Sequence, residues 1–403
     1  MIAGIHKSCE SRHTNEKDWM DMMNIALLGH GTVGRGVEEI IEKHVPSLTV
    51  KRILELPGRL TDERMTSNFD DIVSDSSIEV VVEAMGGLEP AHTYIEAALD
   101  AGKAVVTSNK AVVAAYFAEF VEHAKAHQAQ LFIEATSGGG MPWIAGIQKA
   151  KRIDTIDSFS GILNGTTNFI IDNMRKDAVD FDVALKEAQK LGYAERDPTA
   201  DIDGIDVKNK VIISASVAFD VACTKDLPVM GIRNVHIADL TFLESRGLVV
   251  KLLGRGVQKD GRYAVSVEPT VVPLHSLEAD VPSNFNLATL HGETIDTLKF
   301  YGQGAGSLPT GNAMVQDLLD YQAGVKPEYK LSDDKTYDSS LLTQDYLVRT
   351  TSKLPKEAKP YLEGYHVLKN LTSVQAREVL DQLLVGDPKA LMVAVSKEVS
   401  VSD

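Results

Sequence analysis

The sequence predicts an α/β chain in which a parallel-sheet domain is followed by a second, α+β domain. Three observations carry that expectation. Short β-branched runs alternate with apolar residues at helical spacing through residue 150. A glycine-rich turn separates the first run from the first helical segment, and beyond residue 151 the pattern changes to longer strand-like pieces. Strands that alternate with helices must run parallel, because each return needs a crossover, and the helices then cover both faces of the sheet.

Each element follows in order. From Asn24 an apolar run leads into the turn GHGTVG, after which Val33, Val37, Ile40 and Ile41 recur at helical spacing. VKRILEL (50–56) reads as the second strand, and IEVVVEAMGG (78–87) is a β-branched run ending in glycines. A helix over 90–102 stops at Gly102. A strand over 103–111, a helix over 112–127 and a strand opening at Gln130 follow. KRIDTIDSFSG (151–161) begins the second pattern, with helices opening at Asn164 and Phe181 and a long apolar helix over 207–222. Strand-like pieces at 248–256, 262–272 and 296–301 predict an open mixed sheet. A glycine loop from Gly302 then runs into a helix that returns the chain to the first domain.

These boundaries divide the chain into a disordered extension (1–22), a first domain (23–150, completed by a helix at about 309–324), a second domain (151–308), a polar linker (326–338) and a small module (339–403) read as β-α-β-α-β. Two or three domains suit 403 residues, since single cores seldom outgrow a few hundred.

Composition narrows the function. Apolar residues make up 44% and charged residues 24%, as in an ordinary globular chain. The formal net charge of −16 repels nucleic acid and anionic lipid, which argues against both as partners. No run of 18 apolar residues predicts a membrane span. Only Cys9 and Cys223 occur, outside any metal-ligand spacing, which fits a reducing, cytoplasmic setting.

A nucleotide bound by so acidic a chain must be held by local backbone donors. Gly29, Gly31 and Gly34 match Gly-x-Gly-x-x-Gly between a strand and a helix. There the first glycine makes the turn, the second admits a diphosphate and the third packs helix against strand, with the helix N–H groups at Thr32 and Val33 facing the anion. A plain βα turn is the bland alternative. The position predicts a Rossmann-like dinucleotide-binding domain. Glu55, at the end of the second strand, is placed to accept bonds from both ribose hydroxyls and so favours NAD, while Arg59 keeps NADP open.

Several segments, GHGTVG (29–34), VVEAMGGLEPA (81–91), TSNKA (107–111), EATSGGGMP (134–142), GILNGTTNFI (161–170), LGYAERDPTADIDGIDVKNK (191–210) and GAGSLPT (304–310), resemble homoserine dehydrogenase in order and spacing across 24–320. The resemblance implies NAD(P)-dependent interconversion of L-aspartate 4-semialdehyde and L-homoserine. Asp206 and Lys210, four apart on one helix face, match the family's catalytic DxxxK spacing; by themselves they would more often be a solvated ion pair. Lys210 is expected as the general acid, Asp206 as its orienter, and Lys110 between nicotinamide and substrate. Glu195, Asp201, Tyr193, Gly165 and Thr166 are expected to bind substrate. Ser108, Asn109, Lys110, Gly192, Gly302 and Gly304 join the cofactor set.

The resemblance further implies a sodium ion at Glu134, Ser137, Gly139 and Met141, where oxygen ligation suits a hard ion. The plain alternative is a glycine turn between domains. It also implies a homodimer or homotetramer, formed through a second domain serving substrate binding and dimerisation. Residues 339–403 look like a shortened ACT-like module without the usual Asp-x-Pro-Gly turn. A cysteine-dependent semialdehyde dehydrogenase is disfavoured, because neither cysteine sits in a nucleophile-like turn. The remaining alternative is a nicotinamide-nucleotide-binding regulatory protein without turnover, which the presence of Lys110 and Lys210 disfavours.

Overall fold

The computed structural model describes residues 22–362 and 364–399. The expected disordered extension and Cys9 lie outside the described residues, apart from Met22. The first sheet is built from β1 (Met23–Leu28), α1 (Thr32–His44), β2 (Leu48–Leu54), β3 (Met65–Thr66), α2 (Asp70–Val73), β4 (Val80–Glu83), α3 (Ala91–Asp100), β5 (Ala104–Thr107), α4 (Lys110–Ala126) and β6 (Leu131–Phe132). All six strands are parallel in the order β3-β2-β1-β4-β5-β6. The strand order reverses between β1 and β4, and a ligand binds such a sheet beyond the carboxyl ends of those strands.

Both faces of this sheet are dry, which explains its continuous apolar strands. On one face Ile25, Leu27, Val80 and Val82 pack with Val37 and Ile41 of α1. On the other, Ala26, Leu28 and Val81 pack with Ile95 and Leu99 of α3 and Val113, Phe117 and Phe120 of α4.

The chain continues through α5 (Trp143–Ala150), β7 (Ile156–Ile162), α6 (Gly165–Asp177), α7 (Phe181–Lys190), α8 (Thr199–Ile202), α9 (Ile205–Phe219), α10 (Ile237–Glu244), β8 (Leu248–Lys259), β9 (Arg262–Pro273), β10 (Phe285–Gly292) and β11 (Asp296–Gln303). Next comes α11 (Ser307–Gln322), which crosses α1 closely enough that a Cβ on Gly36 would stand 2.5 Å from the Ser307 carbonyl oxygen. Its Met314, Val315 and Leu318 fill the same apolar layer as α1. Almost every residue of α9 beyond Lys210 is buried, because the helix lies between α4 and the second sheet.

Three expectations about the chain end change. The segment 326–338 is docked: Tyr329 packs edge-on against Phe117 and its hydroxyl donates to the Leu131 carbonyl at 3.1 Å. Its β12 (Thr336–Tyr337) pairs with β9. After β13 (Thr343–Arg349), the expected first helix is instead a strand, β14 (Lys359–Leu362), in a hairpin with β15 (Tyr365–Thr372); α12 (Ser373–Gly386) and β16 (Leu391–Val395) complete the chain. Finally, the module does not stand apart as an ACT-like unit. β16 pairs in parallel with β9, giving one mixed sheet in the order β11-β10-β7-β8-β9-β16-β13-β15-β14. Glu268 of β9, fully buried, accepts from Tyr346 Oη at 2.7 Å and from Gln344 Nε2 at 3.0 Å, which fastens the module to the core.

Candidate active site

The glycine turn sits at the carboxyl end of β1. Gly29 has φ +93°, and a Cβ there would approach the Ala84 carbonyl oxygen to 3.1 Å. A Cβ on Gly34 would stand 2.2 Å from the Gly29 carbonyl oxygen, so only glycine lets α1 pack on the strand. Gly31 faces open space, with nothing within 4 Å of the corresponding position. The start of α1 has no side-chain cap and no acid in its first turn, so its amides at Thr32 and Val33 suit an anion. Bare amides beside an open glycine fit a dinucleotide diphosphate.

Glu55 stands against this turn: its carboxylate accepts from Leu56 N at 2.9 Å and from His30 N at 3.2 Å. The Leu56 amide foremost, with His30 and Arg59, outweighs burial and holds its pKa below the usual value. Arg59 is 4.0 Å away and exposed.

Lys110 is placed by a buried cluster that sequence reading passed over. Glu83, the last residue of β4, is fully buried; it accepts from Thr107 Oγ1 at 2.5 Å and from Met85 N at 2.8 Å. Asn109 donates to the Gly87 carbonyl at 2.7 Å and caps α4 by accepting from Val112 N at 3.2 Å. Ser108 N donates to the Glu83 carbonyl at 3.2 Å. These bonds fix the β5–α4 turn, so Lys110 leaves the first residue of α4 over the sheet's carboxyl edge.

There it meets α9. Lys110 Nζ lies 2.8 Å from Asp206 Oδ1, and Lys210 Nζ lies 2.8 Å from Asp206 Oδ2. Lys210 Nζ also donates to the Leu163 carbonyl at 2.5 Å. Asp206 and Lys210 are buried, and Lys110 remains partly open to solvent. Burial opposes the charge on Asp206, but Lys210 and Lys110 outweigh it and keep the carboxyl well below its usual range. Lys210 moves the other way: burial lowers its pKa, against the pull of Asp206. Lys110 is raised, chiefly by Asp206, with Asp201 and Glu195 contributing.

Asn164 is the second residue the sequence reading passed over. Its Nδ2 donates to Asp201 Oδ1 at 2.7 Å and to Asp206 Oδ2 at 2.9 Å, while its Oδ1 accepts from Thr167 N at 2.8 Å as the cap of α6. The Asn-Gly pair at a helix start signalled the cap, and nothing in the sequence signalled the bridge. Burial, then Asp206, raises the pKa of Asp201. Gly165 and Thr166 open α6, where amides have no intrahelical acceptor. Thr166 Oγ1 donates to the Tyr193 carbonyl at 2.6 Å, tying the 191–195 turn to that helix start. Gly192, at φ +77°, Tyr193 and Glu195 are exposed.

Gly302 and Gly304 lie at the end of β11 and in the loop after it. Gly302 lines a hollow with Met141, Pro142 and Pro309, and a Cβ on Gly304 would collide with the Asn286 side chain at 1.9 Å. Both are closely packed positions at the end of β11 and in the following loop. That loop reaches the cofactor turn through Ser307, whose hydroxyl donates to the Thr32 carbonyl at 2.6 Å.

The carboxylate of the loop expected to hold sodium is engaged within the protein. Both Glu134 oxygens accept from the start of α5, Ala145 N at 2.6 Å and Ile144 N at 3.0 Å. The Met141 carbonyl accepts from Trp143 N at 2.8 Å, and a Cβ on Gly139 would meet Gly304 backbone at 2.4 Å. Ser137 Oγ is buried without a hydrogen-bond partner. The Glu134 carboxylate thus caps α5, and the loop is a close-packed crossing.

A six-stranded parallel sheet with this turn, and a lysine–aspartate–lysine cluster at its carboxyl edge, defines an oxidoreductase of the nicotinamide-dinucleotide class. The family pattern described as homoserine dehydrogenase matches residues 142–319, and that of its NAD binding domain matches 29–134. The homoserine dehydrogenase of Bacillus subtilis is 36% identical over 315 residues, covering 74% of this chain and 73% of its own; that of Synechocystis is 38% identical over 320, covering 74% and 72%. The crystal structure of a homoserine dehydrogenase from Thiobacillus denitrificans superposes with a TM-score of 0.82 at 28% identity, over 93% of this chain and 98% of that one. A hyperthermophilic archaeal homoserine dehydrogenase in complex with NADPH gives 0.65 at 26% identity, over 76% and 99%. The chain belongs to the homoserine dehydrogenase family. No helix among the described residues is long and apolar enough to cross a membrane.

Proposed function

We propose that this enzyme interconverts L-homoserine and L-aspartate 4-semialdehyde, with Lys210 as the group that moves the proton. The observation that carries this reading is the buried carboxylate of Asp206 between Lys110 and Lys210, each at 2.8 Å. Bound nicotinamide supplies the hydride acceptor for C4 of homoserine, or the donor in reverse.

Lys210 is buried and its pKa is lowered by that burial, which favours the neutral amine a proton acceptor needs. In oxidation its lone pair takes the hydroxyl proton; in reduction its ammonium returns that proton to the oxyanion. Asp206 orients both lysines, and Lys110, charged and nearer solvent, stabilises the developing alkoxide. Asp201 and Glu195 add negative charge for the substrate's α-ammonium, and the Gly165 and Thr166 amides suit its α-carboxylate. Glu55 supports NAD over NADP, since a carboxylate accepts ribose hydroxyls and repels a 2′-phosphate. The scarcity of cysteine supports a cytoplasmic location. Exposed Leu298 and Tyr301 on edge strand β11 support pairing into a homodimer or homotetramer.

The test is homoserine oxidation with NAD and with NADP. Lys210→Ala should lower kcat by about 10²–10⁴ with the fold intact by circular dichroism; an unchanged kcat would remove Lys210 from the proton path. Glu55→Ser should shift the ratio of kcat/KM values toward NADP, and an unmoved ratio would mean that Glu55 does not read the ribose.

A further inference from the structure

On the outer side of the first sheet, away from the lysine cluster, α3 and α4 face each other with ligand-type residues at four-residue spacing. His92, Glu96 and Asp100 line α3, and Glu119 and His123 line α4, with His127 just past its end. Residues four apart share a helix face, so each helix presents one histidine–carboxylate pair to the other. Ligand atoms of His92, Glu96 and Glu119 all lie within 4.8 Å of one another.

We propose that His92, Glu96 and Glu119, with His123 beside the other oxygen of Glu96, form a binding site for a divalent first-row transition ion of the zinc type, clamping α3 to α4. The histidines are already oriented as ligands. His92 Nδ1 is anchored on Glu89 at 3.1 Å, which turns Nε2 to Glu119 at 3.0 Å and Glu96 at 3.5 Å. His123 Nδ1 is anchored on Asp100 at 2.6 Å, which turns Nε2 to Glu96 at 3.2 Å. A carboxylate behind the far ring nitrogen is the arrangement that fixes tautomer and ring plane in metal-binding histidines. Stacking on Tyr116, with ring centroids 4.0 Å apart, fixes the His92 ring as well.

The spacing suits the ion. Bonds of about 2.0–2.1 Å in tetrahedral geometry set donors about 3.3 Å apart, and the two separations from His92 Nε2, 3.0 Å to Glu119 and 3.5 Å to Glu96, bracket that value. Imidazole with carboxylate is a donor set for zinc and its neighbours. Glu96 and Glu119 also face each other as like charges; burial, then Glu119, raises the pKa of Glu96. The cations facing this group from its own two helices are the histidines themselves, and Lys225 lies over the Tyr116 ring at 5.9 Å. An ion here replaces protons on His92 and His123, so its affinity rises with pH.

The experiment uses the full chain stripped with chelator and titrated with zinc chloride, then with cobalt chloride as a spectroscopic reporter. Expected are one equivalent bound, an upward shift in Tm, and the intense visible bands of tetrahedral cobalt. His92→Ala and His123→Ala should each abolish the bands, and Asp100→Ala should weaken binding roughly 10–100-fold through loss of the anchor alone. Absence of binding, or cobalt spectra unchanged in both histidine variants, would overturn the proposal and leave a histidine–carboxylate hydrogen-bond network. Homoserine oxidation by the same variants, followed in parallel, separates this clamp from the chemistry at Lys210.

Discussion

Asp206 holds an ammonium on each of its oxygens, and that doubling decides how the site responds to pH. Lys210 is pulled down by burial and held up by Asp206. Removing the carboxylate leaves burial and the facing Lys110 charge, both of which disfavour the ammonium. Asp206→Asn should therefore move the rising limb of the pH profile for homoserine oxidation to lower pH, besides lowering kcat. A limb that stays in place would show that another group sets it. Cys223 is the contrasting residue: burial pushes its thiol up to about 12, so it is inert at neutral pH, as its place beyond an apolar helix predicted.

Among elements, the junction of β6, α5 and α11 carries a buried acid pair. Asp317 of α11 accepts from Glu134 N at 3.1 Å. Burial, then the Glu134 charge, raises Asp317 well above its usual 3.8, and burial raises Glu134 from 4.5 to about 7. An acid whose folded pKa is raised contributes stability that is fully present below its unfolded pKa and is lost as pH rises through its folded pKa. The urea-unfolding free energy of the wild type should thus fall between about pH 4.5 and 7, by up to about 1.4 kcal/mol per pH unit for each such group. Asp317→Asn keeps an acceptor for the Glu134 amide and removes one titrating group, so its profile should be flatter. Parallel profiles would show that Asp317 does not titrate there. The sequence offered this junction as a cation loop or a glycine turn and not as a helix cap, because an acid's value as a cap depends on which helix start folding brings to it.

At the scale of the whole molecule, the chain end is structural. β16 covers β9 at Thr270 and Val271, and Glu268 is satisfied by Tyr346, Gln344 and Ser373 as well as Arg255. Truncation after Asp338 uncovers a central strand and strips the neutral donors Tyr346, Gln344 and Ser373 from a buried charge, a loss of about 1.5–3 kcal/mol for each such bond. The truncated chain should melt at lower temperature and self-associate by light scattering through the bared β9 edge. A monodisperse product of unchanged Tm would restore the view of an appended, independent module.

The sequence alone determined the parallel sheet and the glycine turn, because strand–helix alternation and glycine spacing are local in the chain, whereas Lys110, Asp206 and Lys210 were expected only through the family resemblance. It did not reach Glu83, whose partners Thr107 and Asn109 stand 24 and 26 residues on, nor Asn164, whose bridge to Asp201 and Asp206 spans 37 and 42 residues. It also misread the chain end, since whether three strands form their own sheet or extend another depends on which edge is free, and β9 offered one. Only the tertiary structure decided burial, and burial is what makes an ordinary Asp–Lys helix pair a buried, charge-shifted site: desolvation acts on neighbours in space, which the order of residues does not specify.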